Sequence, residues 1–553
     1  MDIKGRRILL LGGAGLVGMA IARRMVPLAP ARLVIGSLRE EEAREAVREL
    51  AAEPGADAVE LVPVWGDIFL RASRIDSFRR DLLETSEGRH EILEDLFGEV
   101  GPLETEKYGL VSLIVGQQPE IIVDCVNTAT AIAYRDVFTA ADRLRRMAAE
   151  SDTVPSEEVE KLLTVLYLPQ LIDHVRMMLT GMRRADTKLY VKIGTSGTGG
   201  MGLNIPFTHS EERPSRMLLA KASVAGAHSM LLYLMARTPD APAVKEIKPT
   251  AAIAWKRIAY GPVMRRGRPM ERWDSITALP LGEAFNEPAP EVFENTGEAI
   301  ESVYLDAGEN GLFSAAEYET ISSLGMMEFV TPEEISEAVI HEIEGRPTGR
   351  EMVSAMDASS YGPTYRAGVL REAALQRLEA LQKKHNVRSI AFEMLGPPRL
   401  AKLLFEAEII GRLYANVREA AELEPDDTAC RAQELVMGDP TLRSDILSIG
   451  VPILMVDGES LLRGPLVEVE PEGDSDPDDP RWRNRGWVDL TPASWVRWRD
   501  RCRSFIATEV AVPGADAGSQ EDLDVRSLSG EIRPGALAAH VFRGEDEGTR
   551  VKR

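Results

Sequence analysis

Arg6 to Leu11 is a short, almost wholly apolar run that ends directly on Gly12-Gly13-Ala14-Gly15-Leu16-Val17-Gly18, and a helical pattern then continues through Met25. A strand that apolar has to be buried on both faces, which is the condition of a parallel sheet covered by helices on each side. Glycines spaced as Gly12, Gly15 and Gly18 at a strand-to-helix turn let the backbone reverse tightly and come close to a pyrophosphate, while the helix N-terminus presents N–H groups and the positive end of its dipole. A ligand-free glycine turn is the plainer alternative. Lys4, Arg6 and Arg7 ahead of an apolar run have the order of a secretory leader, but the run is short and breaks into glycines, so a strand entering a turn is the better reading.

Alternation continues along the chain. Arg32 to Ile35 reads as a second strand, Glu40 to Ala52 as a charged amphipathic helix and Ala58 to Val64 as a third strand, so the first stretch is βαβαβ, the signature of a doubly wound sheet. Residues 69 to 108 are charged and helical, an excursion before the sheet resumes with Ile121 to Val126; Leu110 to Val115 reads as a helix end. Helices over 136 to 184 lead to a strand at Leu189 to Ile193, a Gly/Ser/Thr loop from Gly194, a helix from Ser215 to Ala236 and a strand at Val244 to Ile247. Thr331-Pro332-Glu333-Glu334 opens a further helix with a capping threonine, proline in the first turn and acids that suit the dipole. The expected fold class is α/β, a doubly wound parallel sheet with a mainly helical C-terminal extension. The expected division is 1–356 for the nucleotide domain, with a Pro/Gly-rich substrate cap around 262–330; 357–510 for the helical domain; and 511–553 for a flexible acidic tail.

Composition narrows the partners. The 553 residues carry 65 Lys+Arg against 88 Asp+Glu, a formal net charge of −23, which disfavours nucleic acid and anionic membrane surfaces. Cys125, Cys430 and Cys502 are too far apart for a disulfide framework or a C-x-x-C pair, so a cytoplasmic setting is the default. No apolar stretch reads as a membrane span, and no H-x-x-x-H or His/Cys pairing calls for a metal. The run around Ser196 is one glycine out of register for a nucleophile elbow, against a hydrolase. Trp482, Trp487, Trp495 and Trp498 lie among arginines; packing is the expectation, with a surface for an anionic or aromatic ligand as the alternative.

Taken together, the motifs resemble the extended short-chain dehydrogenase/reductase superfamily, that of the nucleotide-sugar epimerases and dehydratases, over about residues 6 to 350. Leu11 to Gly18 resembles its glycine motif, Gly66-Asp67-Ile68 the pair that contacts adenine, Gln118 to Ala129 with Asn127 the fourth strand and its cofactor-facing end, Ile193 to Thr198 the fifth strand with its Ser/Thr, and Phe329 to Ile335 the late helix start. The resemblance implies a Rossmann-type sheet and a nicotinamide dinucleotide held by Gly12, Gly15, Leu16, Val17, Gly18, Asp67, Ile68, Asn127 and Lys221. At the end of the second strand Ser37 and Arg39 stand where an acid binds the ribose of NAD, and a guanidinium there suits the 2′-phosphate of NADP. Read instead as part of the next helix's solvated face, Arg39 leaves Glu40 or Glu41 for NAD.

The family's Tyr-x-x-x-Lys helix matches Met217 to Lys221, so the lysine is retained while a thioether replaces the proton-transferring phenol. Ser196 and Lys221 remain as catalytic candidates, with His209 as a substitute acid or base and Tyr134 and Tyr260 as weaker ones. The expected function is an NADP(H)-dependent oxidoreductase or epimerase/dehydratase-like enzyme for a small hydroxyl or carbonyl substrate, in a homo-oligomer. The alternative is a non-enzymatic dinucleotide sensor or scaffold that binds a partner through its C-terminal helices.

Overall fold

The computed structural model describes residues 1–98, 104–133, 135–150, 153–194, 216–249, 251–252, 254–265, 267–286, 292–307, 311–323, 329–346, 365–392, 398–471, 479–510 and 531–545. The chain forms two compact units that interleave in sequence. One comprises Met1–Met201, Pro214–Ala254 and Glu328–Ala367; the other comprises Gly202–Arg213, Trp255–Met327 and Gly368–Arg553.

The first unit is built on six parallel strands, β1 (Arg7–Leu11), β2 (Arg32–Ser37), β3 (Glu60–Trp65), β4 (Ile121–Asp124), β5 (Leu189–Ile193) and β6 (Ala243–Ile247), in the order β3-β2-β1-β4-β5-β6. That order reverses direction between β1 and β4, the topological switch of a doubly wound Rossmann sheet, so ligands are expected beyond the carboxyl ends of the strands there. Side-chain alternation divides the core into two layers. Ile8 and Leu10 of β1 pack with Ile21 and Met25 of α1 (Leu16–Met25) and with Val339, Ile340 and Ile343 of the helix Pro332–Glu344. Leu9 and Leu11 face the other way, towards Val111 and Ile114 of α5 (Gly109–Gln117) and Met178 and Met182 of α9 (Tyr167–Arg184). Burial of each such side chain is worth about 1.5–3 kcal/mol, which favours this two-faced arrangement over any that exposes one row.

The remaining helices of this unit are α2 (Glu40–Leu50), α3 (Arg79–Glu84), α4 (Ser86–Phe97), α6 (Thr128–Ala133), α7 (Val137–Glu150), α8 (Ser156–Thr164) and α10 (Arg216–Ala236). The excursion between β3 and β4 is helical, as its charge pattern indicates, but Leu110 to Val115 lies within a whole helix, α5, and not at a helix end. Thr331 caps its helix as the sequence suggests: its Oγ1 accepts from Glu334 N (3.2 Å) while the Glu334 carboxylate accepts from Thr331 N (2.9 Å). The α10 window Leu219–Ala236 is long and apolar enough to cross a membrane by length and composition, which the sequence reading did not register; Ala220, Val224, Ala225, Leu232 and Met235 on it are buried in this unit.

The second unit contains most of the residues read as a cap. Arg257–Pro262 pairs antiparallel with Glu301–Asp306, and Leu279–Pro280 joins Ser460–Leu462, Ile453–Leu454 and Val488–Asp489 in a four-stranded sheet. Arg443 grips the Asp274 carboxylate with two hydrogen bonds of 2.7 and 2.8 Å. Residues 255–327 group with the C-terminal half instead of the nucleotide-type sheet: Leu279–Pro280 finds its strand partner at Ser460–Leu461, and Asp274 is held by Arg443. Around them the unit is mainly helical. Trp482, Trp487, Trp495 and Trp498 are core residues and form no ligand-binding surface: the Trp487 indole donates to Val469 O (2.8 Å) and Trp498 to Glu406 (2.7 Å). Part of the expected flexible tail is also core, since Pro534–Glu545 is a helix with Leu537, Ala538, Val541 and Phe542 buried. The acidic average of the whole tail hid that apolar face.

Candidate functional site

The carboxyl edge of the six-stranded sheet is shaped first by its glycines. Gly12, at φ +69°, leaves β1 in a conformation that side-chain-bearing residues rarely adopt, and a Cβ there would sit 3.2 Å from the backbone of Cys125 and Val126 at the end of β4. A Cβ on Gly18 would run into Gly12 O and lie 2.7 Å from Gly13 Cα, so the turn closes this tightly only with glycine. Gly15 N donates to Gly12 O (3.1 Å), Met19 N donates to Gly15 O (2.8 Å), and Gly15 is the N-cap of α1. Leu16, Val17 and Gly18 thus form the first turn of a helix, whose N–H groups have no intrahelical acceptor. This cradle, kept open by the lack of a Cβ on Gly12 and Gly18, fits the diphosphate of a dinucleotide.

Flanking positions follow from the neighbouring strands. Ser37 ends β2 and its hydroxyl donates to Glu42 (2.7 Å), while Arg39 is exposed at the N-cap of α2. Beyond β3, Asp67 is half-buried; its N–H donates to Ile75 O (2.8 Å) and its Oδ1 accepts from Phe69 N (2.9 Å), with half-buried Ile68 between. Asn127, after β4, accepts from Thr130 N (3.1 Å) and so fixes the start of α6. Lys221 is buried on α10. Ser196, His209 and Tyr134 lie outside the described residues, as does the side chain of Met217. Tyr260 belongs to the second unit, where its ring stacks on His385 at 4.0 Å and its hydroxyl donates to Glu301 (3.0 Å).

Beneath the β4 edge lies a buried polar cluster that the sequence reading missed. Asp124 and Lys192 are directly opposite in the β4–β5 register, and Tyr190 lies two residues before Lys192 on the same face. Lys192 Nζ contacts Asp124 Oδ2 (2.9 Å) and donates to Val126 O (2.6 Å) and Thr128 Oγ1 (3.3 Å); Tyr190 Oη donates to Asp124 Oδ2 (2.7 Å), and Asp124 Oδ1 accepts from Val126 N (2.9 Å). The pair therefore holds both the N–H and the C=O of Val126, next to Asn127 and the glycine turn. Burial opposes the charge on Asp124, but Lys192, His174 and the Tyr190 hydroxyl hold its carboxyl below the usual carboxylate range. His174 of α9 and His228 of α10 stand edge to face with ring centroids 6.0 Å apart, and burial pushes them down to about 4 and about 3. Burial and Asp124 push the Cys125 thiol up to about 12, so it is no nucleophile at neutral pH. The signal in the sequence was an acid and a lysine inside strands otherwise buried on both faces.

Comparison with known proteins adds to this. Residues 273–546 match the model of the β-methylindole-3-pyruvate reductase C-terminal domain family. Among solved structures, the chain is similar to a short-chain type dehydrogenase/reductase from Mycobacterium ulcerans (13% identity, TM-score 0.30, covering 65% of this chain and 86% of that one). It is also similar to a 3-oxoacyl-(acyl-carrier protein) reductase with bound NAD from Brucella melitensis (14% identity, TM-score 0.29, covering 66% and 89%). No curated protein matches the sequence.

Proposed function

We propose that this chain is a nicotinamide-dinucleotide-dependent reductase of a 2-oxo acid bearing an aryl group, with NADPH preferred over NADH. The observation that carries the reading is the cradle of Gly12, Gly15 and Gly18 at the switch point of the sheet, with no room for a Cβ on Gly18, a positive φ at Gly12, and an opening onto the N-terminus of α1. The match of residues 273–546 to a domain of β-methylindole-3-pyruvate reductases supports the substrate class.

In this reading Gly12, Gly15 and Gly18 with the N–H groups of Leu16 and Val17 hold the diphosphate, Ser37 and Arg39 the adenosine ribose, Asp67 and Ile68 the adenine edge, and Asn127 and Lys221 the nicotinamide end. A bound reduced nicotinamide supplies hydride to the carbonyl carbon. The chain itself must supply a proton to the carbonyl oxygen, and Met217 has none to give; His209 is the acid of this reading, with Tyr134 and Tyr260 as weaker candidates, Ser196 to orient the oxygen and Lys221 as the neighbouring charge. Asp124 and Lys192 hold the Val126 to Thr128 turn on which Asn127 sits.

Met217 in place of tyrosine also favours a second reading, binding of the dinucleotide without turnover. Loss of 340 nm absorbance with NADPH and indole-3-pyruvate separates the two. Turnover that falls in His209→Ala supports the reductase; tight NADPH binding by calorimetry with no turnover on any aryl 2-oxo acid supports the sensor.

A further inference from the structure

Beyond the carboxyl ends of β4 and β5, Asn127, Thr128, Lys192, Gly194, His228 and Glu246 line a cavity of about 10 Å³, room for one water-sized group. All six belong to the first unit. Most of the polar groups around it are committed elsewhere. Glu246 Oε1 accepts from Ser229 Oγ (3.0 Å) and has Lys248 Nζ at 3.6 Å, so its charge is answered. Asn127 Oδ1 accepts from Thr130 N (3.1 Å). Lys192 spends the three N–H donors of its ammonium on Asp124 Oδ2, Val126 O and Thr128 Oγ1.

Two donors are left over. Thr128, the first residue of α6, is buried, and its Oγ1 accepts from Lys192 (3.3 Å), so its own hydrogen needs another acceptor. Val126 O lies 3.5 Å away, at the long limit of a hydrogen bond. That oxygen already accepts from Lys192 Nζ (2.6 Å) and from Thr128 N (2.8 Å), which occupy both of its lone pairs. His228 of α10 is 5% exposed and makes no hydrogen bond among the described residues. Burial pushes its ring down to about 3, so the imidazole is neutral and carries one N–H. A buried donor without an acceptor is costly, and an acceptor placed in the cavity relieves that cost. Lys192 also sharpens the first donor, because a hydroxyl that accepts from an ammonium is polarised towards giving its own hydrogen.

We infer that this cavity receives the reacting oxygen of the substrate, with the Thr128 hydroxyl, backed by Lys192, and the His228 ring as its hydrogen-bond donors. A carbonyl oxygen is an acceptor of the size the cavity takes. As hydride reaches the carbonyl carbon, negative charge gathers on that oxygen, and donors fixed in a water-excluded site hold it far better than water does. Thr128 and His228 keep their own protons throughout; the proton that completes the alcohol comes from the acid of the reductase reading, on which this inference rests.

The test compares indole-3-lactate with indole-3-propionate, which differ by that one oxygen, by calorimetry in the presence of NADPH, where neither acid turns over. A hydrogen bond reinforced by charge is worth about tenfold or more in affinity, and wild type should prefer the lactate by that factor. Thr128→Ala, which leaves space for a water to satisfy Lys192, should bring the preference to within about twofold; Thr128→Ser should restore it, and His228→Leu should reduce it. With indole-3-pyruvate, Thr128→Ala should also lower kcat by about 100- to 1,000-fold and leave KM for NADPH unchanged. A preference that persists in Thr128→Ala and His228→Leu, in proteins that melt like wild type, overturns the inference and leaves the reductase reading standing. Wild type binding the two acids equally overturns it as well, a result that depends on no variant. Wild type binding neither acid overturns the reductase reading and this inference with it.

Discussion

Single atoms decide whether the glycine cradle exists. Gly18→Ala puts a methyl group into Gly12 O, a backbone atom that cannot swing aside, so the turn has to open. We expect NADPH binding to fall at least tenfold and stability to drop by about 1–3 kcal/mol, measured by calorimetry and denaturant melts. Lys192→Met leaves the Asp124 carboxylate buried without its counter-charge and is expected to cost about 3–5 kcal/mol; adding Asp124→Asn should recover part of that loss. The histidines make a pH prediction. Burial favours their neutral forms in the folded state, so between about pH 6.5 and about pH 4 the unfolded chain binds more protons and stability falls as pH falls. His174 alone contributes on the order of 3 kcal/mol over that window. His174→Phe, which removes the titrating group, should flatten the pH dependence of the urea midpoint between pH 7 and 4.5, and an unchanged slope would refute the assignment.

At the scale of elements, what the sequence revealed followed from run length. β1, β2, β4 and β5 are apolar enough, and the helices after them amphipathic enough, that the doubly wound pattern and the glycine turn were legible directly. Thr331 and Pro332 likewise announced their helix, and Thr331→Ala should cost about 1 kcal/mol in a thermal melt through loss of the capping box. Strands such as Leu279–Pro280 and Ile453–Leu454 are too short to show a period of two, so 262–330 read as irregular. Cross-strand register is not written in either strand by itself. That Asp124 faces Lys192 emerges only when separate segments are placed side by side, and this part of the candidate site was illegible for that reason.

For the whole molecule, the division that matters is not linear. The first unit needs Pro332–Glu344 to cover Ile8 and Leu10, and the second needs both 255–327 and the C-terminal half. A chain ending at residue 356 keeps the first and strands the second, leaving Arg257–Pro262 and Glu301–Asp306 without the helices of their own unit. Such a chain should aggregate, whereas deletion of 531–553 alone, which removes Leu537 and Phe542 from the core, should give a folded protein with a lowered melting temperature.

Interleaving also sets a clock. During synthesis the sheet of the first unit can close once the helix ending at Glu344 has left the ribosome, but Leu279–Pro280 has by then emerged and must wait for Ser460–Leu462, and its unit for the helix ending at Glu545. At roughly 5–20 residues per second, the last 200 or so residues take about 10–40 s to arrive. Throughout that interval Leu279–Pro280 stays without its neighbouring strand, so a nascent chain exposes one edge of the second unit for as long as the C-terminal half takes to arrive.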